Sequence, residues 1–463
     1  MKYESQSTEL PDNHSIIIIG AGLTGLTTAF HLAKRGKKVL ILEKNDCIGG
    51  QIQTLQKDGF VFETGPNTGS VSYPEVTELF TALSPACELE NADENAKHRL
   101  IWRGDRFMEL PSGLWSGITT PIITWKDKFR VFGEPFRPKG TNPDESVAGL
   151  ALRRLGKSYM DYCVDPFISG IYAGDPTCLV TRYALPKLYN LEQKYGSFIK
   201  GAIAKAKEPK TERDRLATKK IYSAKGGLSN LTAALADAIG RENIILSASS
   251  VKIHPVENHW QVTYSTSGEE KILQAEKVVT TVGAYVLPEI LPFVNRTDMD
   301  KITNLRYARV VQIAVGVKDT RGLRFNAFGG LIPSREKKDL LGILFPAACF
   351  SGRAPGNGMT FSFFMGGIKA GQLTGLSDKA IENIVVREFH EMLRFPANVE
   401  PDMIHIARHT HAIPQYEKST GERLETIGKL QNHYPGLILA GNIRNGISMA
   451  DRILQGTVIA EEL

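Results

Sequence analysis

The sequence predicts a mixed α/β (α+β) fold, and 463 residues suffice for about three domain-sized units. Three observations carry this prediction. A strand, a glycine-rich turn, a helix and a second strand follow one another between Ser15 and Leu42. Such a unit begins a parallel sheet covered on both faces. Short strand patterns crowd Ile244–Val282 and Gln312–Phe364, whereas helical patterns dominate from Ser146 to about Lys207.

The elements follow in order. Ser15–Ile19 is short, β-branched and ended by Gly20, as a buried strand should be. Leu23–Arg35 places Leu26, Phe30 and Ala33 at helical spacing, and Gly36 stops it. Lys38–Leu42 is the next strand. Leu114–Phe136 carries Trp115, Trp125, Phe129, Phe132 and Phe136 among prolines and glycines. It is expected either to pack inside or to form a membrane-facing lip. Lys200–Lys220 holds eight Lys/Arg against three acids and is expected to be a surface loop or mobile linker. A helix is expected over Leu228–Ile239, then strands at Ile244–Leu246, Ser250–His254, Trp260–Tyr264 and Lys277–Val282. A second sheet is expected from Gln312–Val317, Gly329–Pro333, Gly342–Phe345 and Thr360–Phe364. Leu376–Leu393 is a helix, Leu437–Ala440 a buried strand and Ser448–Glu461 the last helix.

Composition sets limits. Apolar residues at 42% and charged residues at 23% exclude a mostly disordered, collagen-like or coiled-coil chain. A net charge of +6 is mild for this length; it does not call for nucleic acid but suits an anionic substrate or membrane surface. Five widely spaced cysteines without a C-x-x-C pair argue against a disulfide framework or structural zinc, and fit a reducing compartment. Met1–Ser15 is polar and lacks the pattern of a secretory signal. No run approaches the ~20 apolar residues of a spanning helix. His405, His409 and His411 are expected to line or flank a strand, with no metal set completed around them. The absence of a G-x-S-x-G elbow disfavours a hydrolase.

The sharpest motif is Gly20-Ala21-Gly22-Leu23-Thr24-Gly25, between strand and helix. The first glycine permits the turn, the second admits a pyrophosphate, and the third lets helix and strand pack. The helix N-terminus offers free N–H groups to the phosphates. Glu43 ends the next strand, where a carboxylate accepts hydrogen bonds from a ribose diol. This is a Rossmann-type dinucleotide site.

Two further segments resemble the large FAD family that includes the amine oxidases. Beyond Glu43, Lys44 leads to Gly49-Gly50-Gln51, similar to that family's second fingerprint. Leu439-Ala440-Gly441-Asn442 before a helix resembles the return segment that closes over the flavin. The family usually has Arg where Cys47 and Gln51 stand. FAD is the cofactor this likeness implies.

Over nearly its whole length the chain resembles the oxygen-dependent protoporphyrinogen oxidases. The likeness rests on Phe62-Glu63-Thr64-Gly65-Pro66-Asn67, on Asp165 to Asp175 with its Ser169-Gly170-Ile171-Tyr172-Ala173-Gly174-Asp175, on Phe328-Gly329-Gly330-Leu331-Ile332-Pro333, and on Pro414-Gln415-Tyr416. The family usually continues the last with Gly-His; here Gly421 is followed by Glu422. The resemblance implies an FAD-binding domain (1–75 with 222–290 and 415–463), a sheet-based substrate domain (76–110 with 291–414) and a helical, membrane-contacting domain (111–221). It implies Arg99 as the cation for a propionate, Gly170 as backbone against the macrocycle, and Phe328 and Leu331 as walls around a pyrrole. Gly65, Pro66, Asn67 and Thr68 would lie beside the flavin, with Asn67 also near the substrate. Val251 would contact adenine, and Ile447, Ser448 and Met449 would approach the isoalloxazine.

These residue types suit a porphyrinogen, an apolar macrocycle bearing carboxylates. Arginine matches a carboxylate with its planar fork. The redox chemistry would be the flavin's, so no acid–base pair is assigned. The implied reaction is the six-electron oxidation of protoporphyrinogen IX by oxygen, late in haem synthesis. Coproporphyrinogen III is the nearest alternative; a second cation at the mouth (Lys44, Lys187 or Lys369) would favour it. An amine oxidase, a carotenoid desaturase, or a non-catalytic flavin or porphyrin carrier are the remaining alternatives. The expected partners are porphyrinogen, oxygen, an anionic membrane surface, a downstream chelatase and a second copy in a homodimer, with no nucleic acid. The expected location is the cytoplasm, peripheral on the inner face of the cell membrane.

Overall fold

The computed structural model describes residues 13–111 and 119–463, so Leu114, Trp115 and most of the Met1–Ser15 segment lie outside the described residues. Among the described residues there are two seven-stranded sheets, two small ones and a helical lobe.

The first sheet runs Ile244–Ile245, Val39–Leu42, Asn13–Ile19, Glu269–Thr280, His259–Thr266, Ser249–Val256, with Leu437–Leu439 also beside Glu269–Thr280. Asn13–Ile19 pairs in parallel with both of its neighbours. Strand alternation splits the four isoleucines. Ile16 and Ile18 join Leu26, Leu235 and Ile453 in one core; Ile17 and Ile19 join Trp260, Leu287 and Ile427 in another. The helices Leu23–Lys34, Ser229–Ile239 and Met449–Glu462 thus cover one face. Val76, Leu79, Phe80 and Leu83 pack with this layer, as do Met299 and Ile302 on the opposite face.

The second sheet runs Met403–Pro414, Tyr307–Val317, Met359–Gly366, Leu340–Leu344, Gly329–Leu331, Arg99–Arg103, Arg106–Glu109. One face buries Val311, Ile313, Phe361 and Phe363 against Ile381, Val385 and Phe389 of the helix Asp378–Leu393. The other face meets the strand Phe60–Glu63 and, in the helical lobe, the helix Asp165–Ile171.

The lobe is tied by buried charge. Arg154 and Glu134 are fully buried; Arg154 pairs with Glu134 at 3.0 Å and with Glu192 at 2.5 Å. Glu134 also accepts from Ser197 Oγ (2.5 Å) and the Phe198 amide (2.9 Å). Arg153 joins the group through Glu145 and Glu192.

The loop expected over Lys200–Lys220 is a correction. Helices Phe198–Ala206 and Glu212–Arg215 occupy most of it. Ser197 caps the first, and Thr211 with Asp214 forms a capping box on the second. Arg213 then pairs with Glu75 (2.7 Å) and Glu78 (2.6 Å), docking the segment onto Pro74–Leu83. Lys200, Lys205, Arg213 and Arg215 stand on these short capped helices, while Lys207, Lys210, Lys219 and Lys220 lie in the turns between and after them. No described helix is long and apolar enough to cross a membrane.

Candidate active site

The glycine turn has the geometry its sequence demands. Gly20 has φ +105°, and a Cβ on Gly25 would lie 2.1 Å from the Gly20 carbonyl oxygen. A Cβ on Gly22 would meet nothing within 4 Å. Two glycines are therefore pressed into the fold and the middle one faces open space. No side chain caps the helix Leu23–Lys34, whose N-terminal residues Leu23, Thr24 and Gly25 are buried.

Glu43 is buried at this turn. Its Oε2 accepts the Ala21 amide (2.7 Å) and its Oε1 the Asn45 amide (3.0 Å), so the carboxylate is fixed with lone pairs to spare. The Ala248 and Ser247 amides donate to the carbonyls of Glu43 and Asn45, both at 2.9 Å. Val251 follows on the strand Ser249–Val256, within the register shift between Ser249 and Lys252. Lys44 is exposed there. Gly50, φ +59°, would set a Cβ 3.4 Å from the Gly22 Cα, and a Cβ on Gly65 would strike the Gln51 carbonyl oxygen at 1.8 Å. Gln51 Nε2 donates to the His411 carbonyl (3.0 Å).

The return segment arrives at the same place. Gly441 (φ +83°) would press a Cβ to 2.6 Å from the Thr281 carbonyl oxygen, and Thr281 Oγ1 donates to the Gly20 carbonyl (3.1 Å). Asn442 Oδ1 accepts from Tyr307 Oη (3.2 Å). Ile447 leads to Ser448, which caps Met449–Glu462 in a box with Asp451, while Met449 is buried. These pieces meet at the carboxyl ends of parallel strands, where open α/β sheets bind ligands. The open glycine, the uncapped helix and the fixed acid all fit FAD: the glycine turn would hold the pyrophosphate and Glu43 the ribose.

The segment Glu63–Thr68 joins this cleft to the second sheet. Glu63 is buried; desolvation pushes its pKa up although Arg353 lies 3.1 Å away. Gln312 Nε2 donates to the Glu63 carbonyl (2.7 Å), and His409 Nε2 lies 2.5 Å from the Thr64 carbonyl. Pro66 and Thr68 are half-buried on either side of the buried Asn67. Asn67 Nδ2 donates to the Gly65 carbonyl (3.1 Å), and Ser362 Oγ donates to Asn67 Oδ1 (2.7 Å).

From Ser362 one row of partners crosses the sheet. Ser362 pairs with Leu344, Leu344 with Gly329, and Gly329 with Arg99. Paired residues share a face, so Asn67 and Arg99 are served by the same sheet face. Three strand spacings separate Ser362 from Arg99, about 14 Å. The adjacent row on this face is Phe364, Gly342, Leu331, Ile101. Gly170 seals one side: a Cβ there would lie 2.4 Å from Leu331 Cδ2. Arg99 is exposed at the end of its strand, beside His98, which pairs with Glu109 (2.6 Å). Phe328 packs with Ala96, Cys349 and Phe350, and Leu331 with Ile101 and Tyr162. Ser362, Leu344 and Phe364 were not singled out from the sequence, because only cross-strand register reveals them. Lys369, a candidate second cation, is held by Asp165 (2.5 Å). Among the described residues no cluster of metal-ligating side chains occurs.

Comparison with known proteins agrees with this geometry. The profile of the flavin containing amine oxidoreductases matches residues 23–463. The chain is 26% identical to protoporphyrinogen oxidase 2, chloroplastic/mitochondrial, of Arabidopsis thaliana, covering 96% of this chain and 93% of that protein. It is 25% identical to coproporphyrinogen III oxidase of Bacillus subtilis (strain 168), covering 95% and 96%. A crystal structure from Exiguobacterium sp. 255-15 superposes with a TM-score of 0.80 at 20% identity, covering 97% of this chain and 98% of that one, and shows the shared fold. The glycine turn, the buried Glu43 and a family match that spans nearly the whole chain lead to one conclusion: this is an FAD-dependent oxidoreductase and belongs to the flavin-containing amine oxidoreductase family.

Proposed function

We propose that the enzyme oxidises a porphyrinogen to the porphyrin, with protoporphyrinogen IX as substrate and oxygen as acceptor. The observation that carries this reading is the cross-strand row from Ser362, which holds Asn67, to Arg99. It offers a flat floor of glycine, Leu331, Leu344 and Phe364, with a cation at the far end. An apolar macrocycle with an acidic edge fits such a slot. FAD, when bound, supplies the electron-accepting chemistry. The chain's own residues position the substrate. Arg99 takes a propionate at one end, and Leu331 with Gly170 sets the width. Asn67, its amide fixed by Ser362, faces the oxidised edge. Both porphyrinogen-oxidising relatives support the class of substrate. The pairing of Lys369 with Asp165 removes one free cation from the region and favours the substrate with fewer carboxylates.

A lip for an anionic membrane surface belongs to the same reading. Trp125 (63% exposed), Phe129 (68%), Phe132 (59%) and Phe136 (87%) stand out on one side of the lobe. Exposed apolar patches of this kind mark interaction sites, and amphipathic aromatics favour the membrane boundary.

Flavin absorbance decides the matter when the purified protein is mixed anaerobically with protoporphyrinogen IX or with coproporphyrinogen III. Faster bleaching by the first is the expected result. Faster bleaching by the second would transfer the assignment to coproporphyrinogen. No bleaching by either would remove porphyrinogens from the site.

A further inference from the structure

Residues 440–448 carry the chain from the first sheet to the last helix, and five consecutive carbonyls of this loop are engaged from the protein side. Tyr416 Oη lies 3.0 Å from the Asn442 carbonyl and 2.9 Å from that of Gly446. Arg423 Nε donates to the Ile443 carbonyl (3.1 Å). Arg452 Nη2 lies 3.0 Å from the Arg444 carbonyl and 2.9 Å from those of Asn445 and Gly446. Arg423 is fully buried and Tyr416 is buried. Burial also pushes the Tyr416 hydroxyl up to about 12, so it remains a donor.

A trans peptide points its C=O and N–H in opposite directions. Carbonyls drawn inward at 442–446 therefore turn the amides of 443–447 outward. Among the described residues no acceptor meets the amides of Asn445, Gly446 and Ile447. Asn445 (φ +63°) and Gly446 (φ +92°) are successive left-handed residues. Consecutive amides in such a turn form a concave site for electronegative groups. The loop abuts the glycine turn: Gly441 presses on Thr281, which bonds Gly20, and a Cβ on Gly456 would lie 2.9 Å from the Thr24 carbonyl oxygen.

We propose that Arg452 is a positioning residue for the flavin: by gathering the carbonyls of residues 444–446 on one guanidinium, with Tyr416 and Arg423 holding the rest, it aims the amides of the loop at the hydrogen-bond-accepting edge of the flavin ring. This rests on FAD occupying the cleft. Donors aimed at that edge stabilise the electron-rich reduced ring more than the oxidised one, so they raise its reduction potential.

The test uses purified holoenzyme as wild type, Arg452→Lys and Tyr416→Phe. Lysine keeps the charge, but its shorter stem withdraws it from the three carbonyls that Arg452 Nη2 reaches; phenylalanine keeps the ring but loses the hydroxyl. Melting temperature, FAD dissociation constant and flavin midpoint potential are measured on each. The expected result is FAD bound about tenfold more weakly, together with a potential lowered by about 30 mV, the two-electron equivalent of a tenfold change. Unchanged potential in a variant that melts like wild type would overturn the proposal, even if FAD bound less tightly, since the loop would then serve the phosphates. Should Arg452→Lys not fold, Tyr416→Phe decides alone. A wild-type protein that never retains flavin would instead defeat the cofactor assignment, a separate outcome visible before any variant is made.

Discussion

At the scale of single residues, the site separates what local chemistry dictates from what only the fold can assemble. Gly20, Gly22 and Gly25 were legible because each answers a local steric demand, and the structure shows those demands at 2.1 Å for Gly25 and as open space at Gly22. Glu43 was legible by its place at a strand end, yet its two backbone hydrogen bonds were not. Glu43→Ala should therefore lower FAD occupancy, measured as the ratio of flavin to protein absorbance, and should also loosen the turn at Ala21. Full occupancy would remove Glu43 from the ribose site. Arg99 has no local signature; its reading came from resemblance, and the sheet register then placed it on the face shared with Ser362. A charge-assisted carboxylate bond contributes roughly 1.5–3 kcal/mol, so Arg99→Ala should weaken substrate binding by one to two decades with FAD still bound. Wild-type steady-state kinetics would take Arg99 out of the site.

At the scale of elements, the helical lobe is the part the sequence conveyed least. Its helices are short, and the basic stretch Lys200–Lys220 looked like a loop because capping and docking depend on distant partners such as Glu75 and Glu78. What joins these helices is the charge group of Arg154, Glu134 and Glu192, invisible in any hydrophobic pattern. Removing one member leaves buried charge unpaired, at a cost of about 3–5 kcal/mol. Arg154→Met should thus lower the melting temperature of the lobe and expose it to limited proteolysis, while the glycine turn still binds FAD. Acid should act on the same place. Burial alone pushes Glu192 up, but hydrogen bonds from Arg153 and Arg154 outweigh it and hold its pKa below the usual 4.5. A carboxylate depressed on folding stabilises the fold above its unfolded pKa, and this contribution is lost as pH falls through the lowered value. Proteolysis of the lobe should therefore begin at a pH below about 4.5, and Glu192→Gln should flatten that dependence. A lobe equally protected at acid and neutral pH would show that this carboxylate does not hold it.

At the scale of the whole molecule, two sheets and a lobe meet around one cleft, and each brings a different contribution. The first sheet presents backbone and acid to a dinucleotide; the second presents an apolar floor ending in Arg99; the lobe covers the edge with Gly170 and faces outward with aromatics. On the proposed function, the lobe's outer face bears on how an apolar substrate would reach the cleft. Trp125, Phe129 and Phe132 recur at helical spacing on Trp125–Phe132, so one side of that helix is apolar and exposed, and Phe136 extends it. Lys126 and Lys139, close in sequence, and Lys200, whose ammonium lies 5.8 Å from the Phe136 ring centre, are exposed and on the proposed reading would meet anionic headgroups. The membrane lip proposed above rests on this helix and patch. Phe129→Glu with Phe136→Glu should therefore abolish co-sedimentation with vesicles containing anionic lipid, while leaving FAD content and anaerobic bleaching in detergent unchanged. Wild-type protein that stays in the supernatant with such vesicles would instead assign the patch to another protein surface. Unaltered sedimentation of the double variant would move the anchor elsewhere on the chain.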